Sequence, residues 1–384
     1  MESDSHLDSN YPKQSKSLNR VDLPRIILVS NRVLLPEKNK KRSKLGEEIS
    51  PELQLAEVFD NKALDPELES ITNNNDDKES KSFKREINRY YQSLKNSRYV
   101  KAVKKIDDFE VDIIETENHQ QYLSQVIDEQ DANGLSWLFW IHGNNQTLEA
   151  SLETCFTFQK TFPVNIVLFA WPSRSYNPKS LAHLLFSAIT MVHPATRILS
   201  RMSLIKAVYE RYRQYRVARK LAIKTTQQLT DAYQLLVNHL FSKLEKKSVS
   251  CNLLVHSLGH YLLTQTFAPK EKYAGFQFDN GLFHQGDIEF NEGAEWISSC
   301  KLVKQKYITI NRNDYALYFS GLCNNRFKYS QARTRLGNSS LASNDHCTII
   351  DFTNAKGIGV SHDILWSNTL ESDYLRTLNN VFVC

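Results

Sequence analysis

No apolar stretch in this sequence is long enough to cross a membrane: the longest, Leu181 to Val192, falls well short of the roughly 20 residues a span requires. The N-terminus, MESDSHLDSNYPKQSKSLNR, has no apolar core of the kind a secretory signal carries. Cysteine is sparse as well. Cys155, Cys251, Cys300, Cys323, Cys347 and Cys384 stand far apart with no C-x-x-C pair, which argues against a zinc module or a disulfide scaffold. No metal and no cofactor is expected. Charge of one sign is also lacking: 48 Lys and Arg against 43 Asp and Glu leave +5, too little and too scattered for a nucleic-acid partner. These absences describe a soluble, cytoplasmic protein with reduced thiols, and 41% apolar content in 384 residues supports a large core.

What is present is an alternation of buried strands and amphipathic helices. The first 22 residues read as a loose polar tail, followed by PRIILVSNRVL, a strand ending near Asn31. Residues 36–82 are charged and polar, and read as a surface excursion in which only Leu53 to Phe59 hints at a helix. FEVDIIE, SWLFWIHG and VNIVLFAW read as strands, with a Thr-capped helix from Thr147 to Phe162 between the last two. A helix over Thr226 to Leu244 precedes the strand CNLLVH, and further strands fall in GFQFDNGLF, YITIN and TIIDF, with a last helix expected near Asp363. Strands that are apolar throughout belong to a parallel sheet covered on both faces. The expected fold is α/β, a doubly wound and mostly parallel sheet of about eight strands, one domain over residues 23–384.

Residues 177–216 break the alternation and read as an inserted helical cap. Arg211, Arg213, Arg216, Arg219 and Lys220 make one basic stretch, read as a wet helix face with weak contact to an anionic surface as the alternative.

In open parallel sheets, functional groups gather beyond the carboxyl ends of the strands, where loops converge and helix N-termini aim their N–H groups inward. Ser257 follows CNLLVH, Asp314 follows YITINRN, and His362 follows TIIDF, so all three reach that edge. Asp287, after the preceding strand, is a reserve acid. His142 and Gly143 end the strand SWLFWI at the same edge.

The chemistry asks for these residue types together. A serine hydroxyl attacks a carbonyl only when an imidazole takes its proton, and a carboxylate must orient that imidazole and stabilise its charge. The oxyanion then needs two preorganised donors, for which the backbone N–H groups of Leu258 and Asn144 are the candidates. His142 is expected to orient its loop by hydrogen bonding, and Asn145 and Trp171 are pocket candidates. Bland readings stand beside each assignment: Ser257 as a turn hydroxyl, Asp314 as the cap of the helix ALYFSGL, His362 as a cap-region histidine.

WIHGNNQTLEASLE, VLFAWPSRSY, LLVHSLGHYLL, ITINRNDYAL, RTRLG and a late Ser-His together resemble a little-characterised prokaryotic branch of the α/β-hydrolase superfamily, domain of unknown function 900, over Ser136 to Trp366. The resemblance implies Ser257 as nucleophile, Asp314 as acid and His362 as base, in the chain order of that superfamily. It says little about substrate; the residues themselves lead to the expectation of a serine hydrolase, esterase- or lipase-like, that cleaves a carboxylic ester, or a thioester or amide, through an acyl-enzyme. The apolar cap suggests a small-molecule or lipid-like acyl substrate. Two departures stand out: Val255 occupies a position where Gly or Ala is usual, and His260 one where this branch tends to have Asn. Val255 motivates the alternative, a catalytically silent fold kept for binding.

Overall fold

The computed structural model describes residues 24–32, 49–60, 100–106, 109–130, 134–144, 146–173, 197–268, 276–324, 334–339, 347–365 and 370–382. Among them, ten strands form one sheet: β1 (Ile26–Arg32), β2 (Ile49–Asp60), β3 (Val100–Ile106), β4 (Phe109–Ile114), β5 (Trp137–Ile141), β6 (Asn165–Ala170), β7 (Cys251–His256), β8 (Phe278–His284), β9 (Val303–Ile310) and β10 (Thr348–Asp351). Their spatial order is β10-β9-β8-β7-β5-β6-β1-β2-β4-β3. From β10 to β1 all neighbours run parallel, while β2, β3 and β4 continue the sheet antiparallel.

Each central strand divides its side chains between two cores. Ile27, Val29, Phe139, Ile141, Val167, Phe169, Leu253 and Val255 enter one cluster, and the residues between them, such as Leu28, Trp140, Leu168 and Leu254, enter the other. Alternate side chains of a strand point to opposite faces, so a strand buried on both faces must be apolar throughout. The first face is covered by α1 (His119–Gln130), α3 (Arg197–Lys224), α4 (Thr226–Leu236), α6 (Gly259–Phe267) and α7 (Phe290–Ser299). The second is covered by α2 (Leu148–Thr161) and α9 (Ser372–Phe382). A short π-helical turn, Val237–Phe241, links α4 to α5 (Ser242–Lys246), and Leu229, Tyr233, Leu236, Leu240 and Leu244 are buried as the sequence pattern predicts. A further helix, α8 (Tyr315–Asn324), follows β9.

Several expectations need correcting. The polar excursion at 36–82 contains β2, and Leu53 to Phe59 is strand, not helix. Charged flanking text masks the pattern, but Leu55, Ala56 and Val58 are buried because β2 lies between β1 and β4. The sheet accordingly has ten strands and not about eight. The cap assigned to 177–216 has no boundary at 216: α3 runs unbroken to Lys224, burying Tyr215, Ala218 and Ala222. Residues 177–196 lie outside the described residues. Among the described residues no helix begins near Asp363; residues 361–365 are loop, and the helix that follows them there is α9. The expected polar tail at 1–22 also lies outside the described residues.

The basic stretch is divided by its environment. Arg213, Arg216 and Lys220 are exposed, whereas Arg219 stacks over the Tyr261 ring, 4.1 Å from its centroid, and donates to Asn324 Oδ1. No helix among the described residues is long and apolar enough to cross a membrane.

Candidate active site

Between β5 and β7 the chain connections diverge: β5 leads through α2 to β6 on one side, and β7 leads through α6 to β8 on the other. A crevice opens at the carboxyl ends of strands at such a point, because the two loops turn away from each other. Gly143 lies at the start of one loop there and Ser257 begins the other. A Cβ on Gly143 would lie 2.7 Å from Ser257 Cβ, so only glycine permits this approach.

Ser257 stands between β7 and α6 with φ of 51°, a left-handed backbone that a non-glycine residue adopts at some cost. The turn is pinned from several sides. Ser257 N–H donates to His284 O at 3.1 Å, and Ser257 O accepts from His260 N–H at 3.1 Å and Asp287 N–H at 3.0 Å. Val255 does not prevent this turn. Its side chain joins the first core alongside Ile141 and Leu258. The close approach falls instead on Gly259, where a Cβ would lie 2.9 Å from both Ile141 O and His142 O.

Asp314 and His362 meet across 48 residues of chain: His362 Nδ1 lies 2.6 Å from Asp314 Oδ2. Asp314 is fully buried, and the same Oδ2 accepts from Gln285 Nε2 at 2.7 Å. Its other oxygen accepts from Leu317 N–H at 2.9 Å, so Asp314 caps α8 with one oxygen and contacts His362 with the other. Burial works against a charge on His362, but Asp314 outweighs it through its charge and hydrogen bond, and the imidazole is raised to about 9. Its ring lies 4.9 Å from that of His256, which burial holds well below its ordinary range and so neutral. Among the described residues, the Ser257 hydroxyl makes no hydrogen bond to His362.

Neither Leu258 N–H nor Asn144 N–H donates to another group among the described residues. His142 and Trp171 are both buried, so they brace the loop from beneath and do not line an open pocket. Trp171 Nε1 donates to His142 O at 2.8 Å, and the two rings stack with centroids 5.7 Å apart. Arg32, ending β1, donates through Nη2 to Gln146 O at 3.1 Å and to His142 Nε2 at 3.3 Å. Asn145 lies outside the described residues.

Asp287, the reserve acid, is engaged elsewhere. Arg335 Nε donates to its Oδ1 at 2.8 Å and Arg335 Nη2 to its backbone oxygen at 3.1 Å, with Ser320 and Tyr215 hydroxyls completing the shell. The structure brings Asp314, not Asp287, to His362. Sequence reasoning overlooked Gln285 and Arg335. Gln285 directly follows β8, so the same strand-edge rule that found Ser257 would have found it. Arg335 lies inside RTRLG, whose Gly337 packs so closely that a Cβ would fall 2.5 Å from the Gln285 carbonyl carbon. No group of side chains among the described residues is arranged to hold a metal ion.

No curated protein and no solved structure matches this chain. A family model described as an alpha/beta hydrolase of unknown function matches residues 115–368, which contain β5 to β10, the Ser257 turn, Asp314 and His362. With the sheet order and the strand-to-helix turn at Ser257, that match identifies the chain as a member of this α/β-hydrolase family, DUF900.

Proposed function

We propose that the protein is a serine hydrolase that cleaves a carboxylic ester, or a thioester or amide, through an acyl-enzyme. Ser257 attacks the carbonyl carbon and His362 takes the hydroxyl proton, while Asp314 holds the imidazole and balances its positive charge. The tetrahedral oxyanion is received by Asn144 N–H and Leu258 N–H. His362 then gives the proton to the leaving alcohol, thiol or amine; in the second half it takes a proton from water as the water attacks the acyl carbon, and returns it to the Ser257 oxygen as the acid departs. The observation that carries this reading is the 2.6 Å contact from His362 Nδ1 to Asp314 Oδ2, made at the strand edge where Ser257 occupies its left-handed turn. Tyr315 and Val360, exposed and joined by a 3.3 Å backbone hydrogen bond beside Asp314 and His362, support a substrate with an apolar part.

A catalytically silent binding fold is the second reading, favoured by the missing hydrogen bond between Ser257 and His362. In enzymes without substrate such bonds are often long and tighten only on binding. A fluorophosphonate probe and p-nitrophenyl esters of short acids separate the two. The hydrolase reading expects labelling and turnover by the wild type, both abolished by Ser257→Ala. Equal labelling of the variant, or an inert wild type, overturns it.

A further inference from the structure

We propose that His142 and His260 are positioning residues that aim the two oxyanion N–H groups, each clamping from behind the carbonyl of the peptide unit whose N–H faces the site. This rests on the hydrolase reading above. In a trans peptide the C=O and the following N–H point in opposite directions, so whatever holds the oxygen sets where the hydrogen points. Among the described residues there are no cis peptides. The first oxyanion candidate, Asn144 N–H, shares its peptide with Gly143 O, and His142 Nδ1 lies 2.7 Å from that oxygen. The second, Leu258 N–H, shares its peptide with Ser257 O, and His260 Nδ1 lies 2.9 Å from that one. Two histidines, one in the loop after β5 and one in the first turn of α6, thus make the same contact on the two peptides that matter.

The ring nitrogens have defined roles. A carbonyl oxygen only accepts, so the Nδ1 facing it carries the proton in both residues. At His142 the far nitrogen is also determined, because the Arg32 guanidinium 3.3 Å from Nε2 only donates. Arg32 therefore selects the Nδ1–H tautomer that the clamp needs, which gives the SNR end of β1 a task at a site formed by other strands. At His260 the far nitrogen is buried with no hydrogen-bond partner among the described residues, beside the Phe283 ring. A neutral imidazole with its lone pair outward suits that position. Burial, with Arg32 beside it, pushes His142 down to about 3, and burial pushes His260 down to about 4, so both clamps stay neutral across the working pH range. The His260 clamp also shares Ser257 O with the backbone N–H groups of His260 and Asp287, which brace the strained turn.

The test compares Leu and Asn at each position. Asn carries an N–H where His carries Nδ1–H, whereas Leu only fills space. With p-nitrophenyl ester substrates, His142→Leu and His260→Leu should each lower kcat by on the order of 10²-fold, the scale of losing one oxyanion donor, with KM little changed. Asn at either position should recover most of the loss, and Arg32→Met should lower kcat while Arg32→Lys preserves it. A role limited to packing predicts the reverse ranking, Leu at least as active as Asn, and that result overturns the inference. Should the Leu variants fail to fold, imidazole ¹⁵N spectra of the wild type decide: both rings must be protonated at Nδ1 and bare at Nε2, and an Nε2–H tautomer at either overturns the clamp. A wild type that neither turns over ester nor takes the fluorophosphonate overturns the hydrolase reading itself. An active wild type whose Leu variants keep full kcat removes only the clamp.

Discussion

At the scale of single residues, the contact between Asp314 and His362 carries a pH signature. A general base must be neutral to accept the Ser257 proton, and His362, raised to about 9, is mostly imidazolium at neutral pH. Ester turnover should therefore climb as pH rises toward that value. The same shift affects stability with a defined sign. A histidine raised from 6.5 to about 9 contributes its full stabilisation below 6.5, and that contribution is lost as pH rises through about 9. Asp314→Asn should move the rising limb back toward ordinary histidine values and lower kcat by on the order of 10⁴-fold. A pH–rate profile whose limb does not shift in that variant would show that another group sets it. That Asp314 turns one oxygen to the start of α8 and the other to His362 is not legible in sequence, because only the assembled fold brings both elements to one carboxylate.

At the scale of elements, residues 334–337 form a strap across the turn that follows β8. Gly337 N–H donates to Gly286 O at 3.0 Å, Leu336 N–H to Ile288 O at 3.0 Å, and Asn311 N–H to Gly337 O at 2.8 Å, which ties β8, β9 and the strap together. The strap holds Gln285 against Asp314. Gln285 itself has φ of 42°, a second strained position within the same site. Gly337→Ala would drive a methyl to within 2.6 Å of the Gln285 Cα, backbone that cannot swing aside. The expected cost is about 1–3 kcal/mol of stability, read as a lower Tm, with reduced kcat as Gln285 is displaced. An unchanged Tm would mean that the strap is not held as closely as its geometry implies. The strand-edge rule singled out Ser257, Asp314 and His362 from local text because Ser257 directly follows β7 and the other two lie in the loops that follow β9 and β10. It was silent about the strap, which belongs to no strand and reaches the site only through tertiary hydrogen bonds.

At the scale of the whole molecule, buried neutral histidines set the acid limit of the fold. His119, His142, His256, His260 and His284 are all lowered, chiefly by burial. Below pH 6.5 the unfolded chain takes up protons at these sites and the folded chain does not, so stability falls as pH drops. The maximum should lie near neutrality, between this loss and the one His362 imposes at alkaline pH. Unfolding near pH 5 should be accompanied by net uptake of several protons, measurable from the pH dependence of the unfolding free energy. A stability curve flat from pH 7 to 5 would contradict the burial of these rings.

The sequence by itself determined the class of fold, because continuous apolar strands alternating with amphipathic helices satisfy a backbone only as a two-sided parallel sheet. It determined less where charged text surrounds a strand: β2 reads as polar loop until β1 and β4 are seen on either side of it. It likewise left Asp287 and Asp314 as rival acids. Tertiary structure alone decided which carboxylate faces His362, because Arg335 occupies Asp287 and Asp314 meets the histidine, and partners so far apart along the chain meet only when the sheet has assembled.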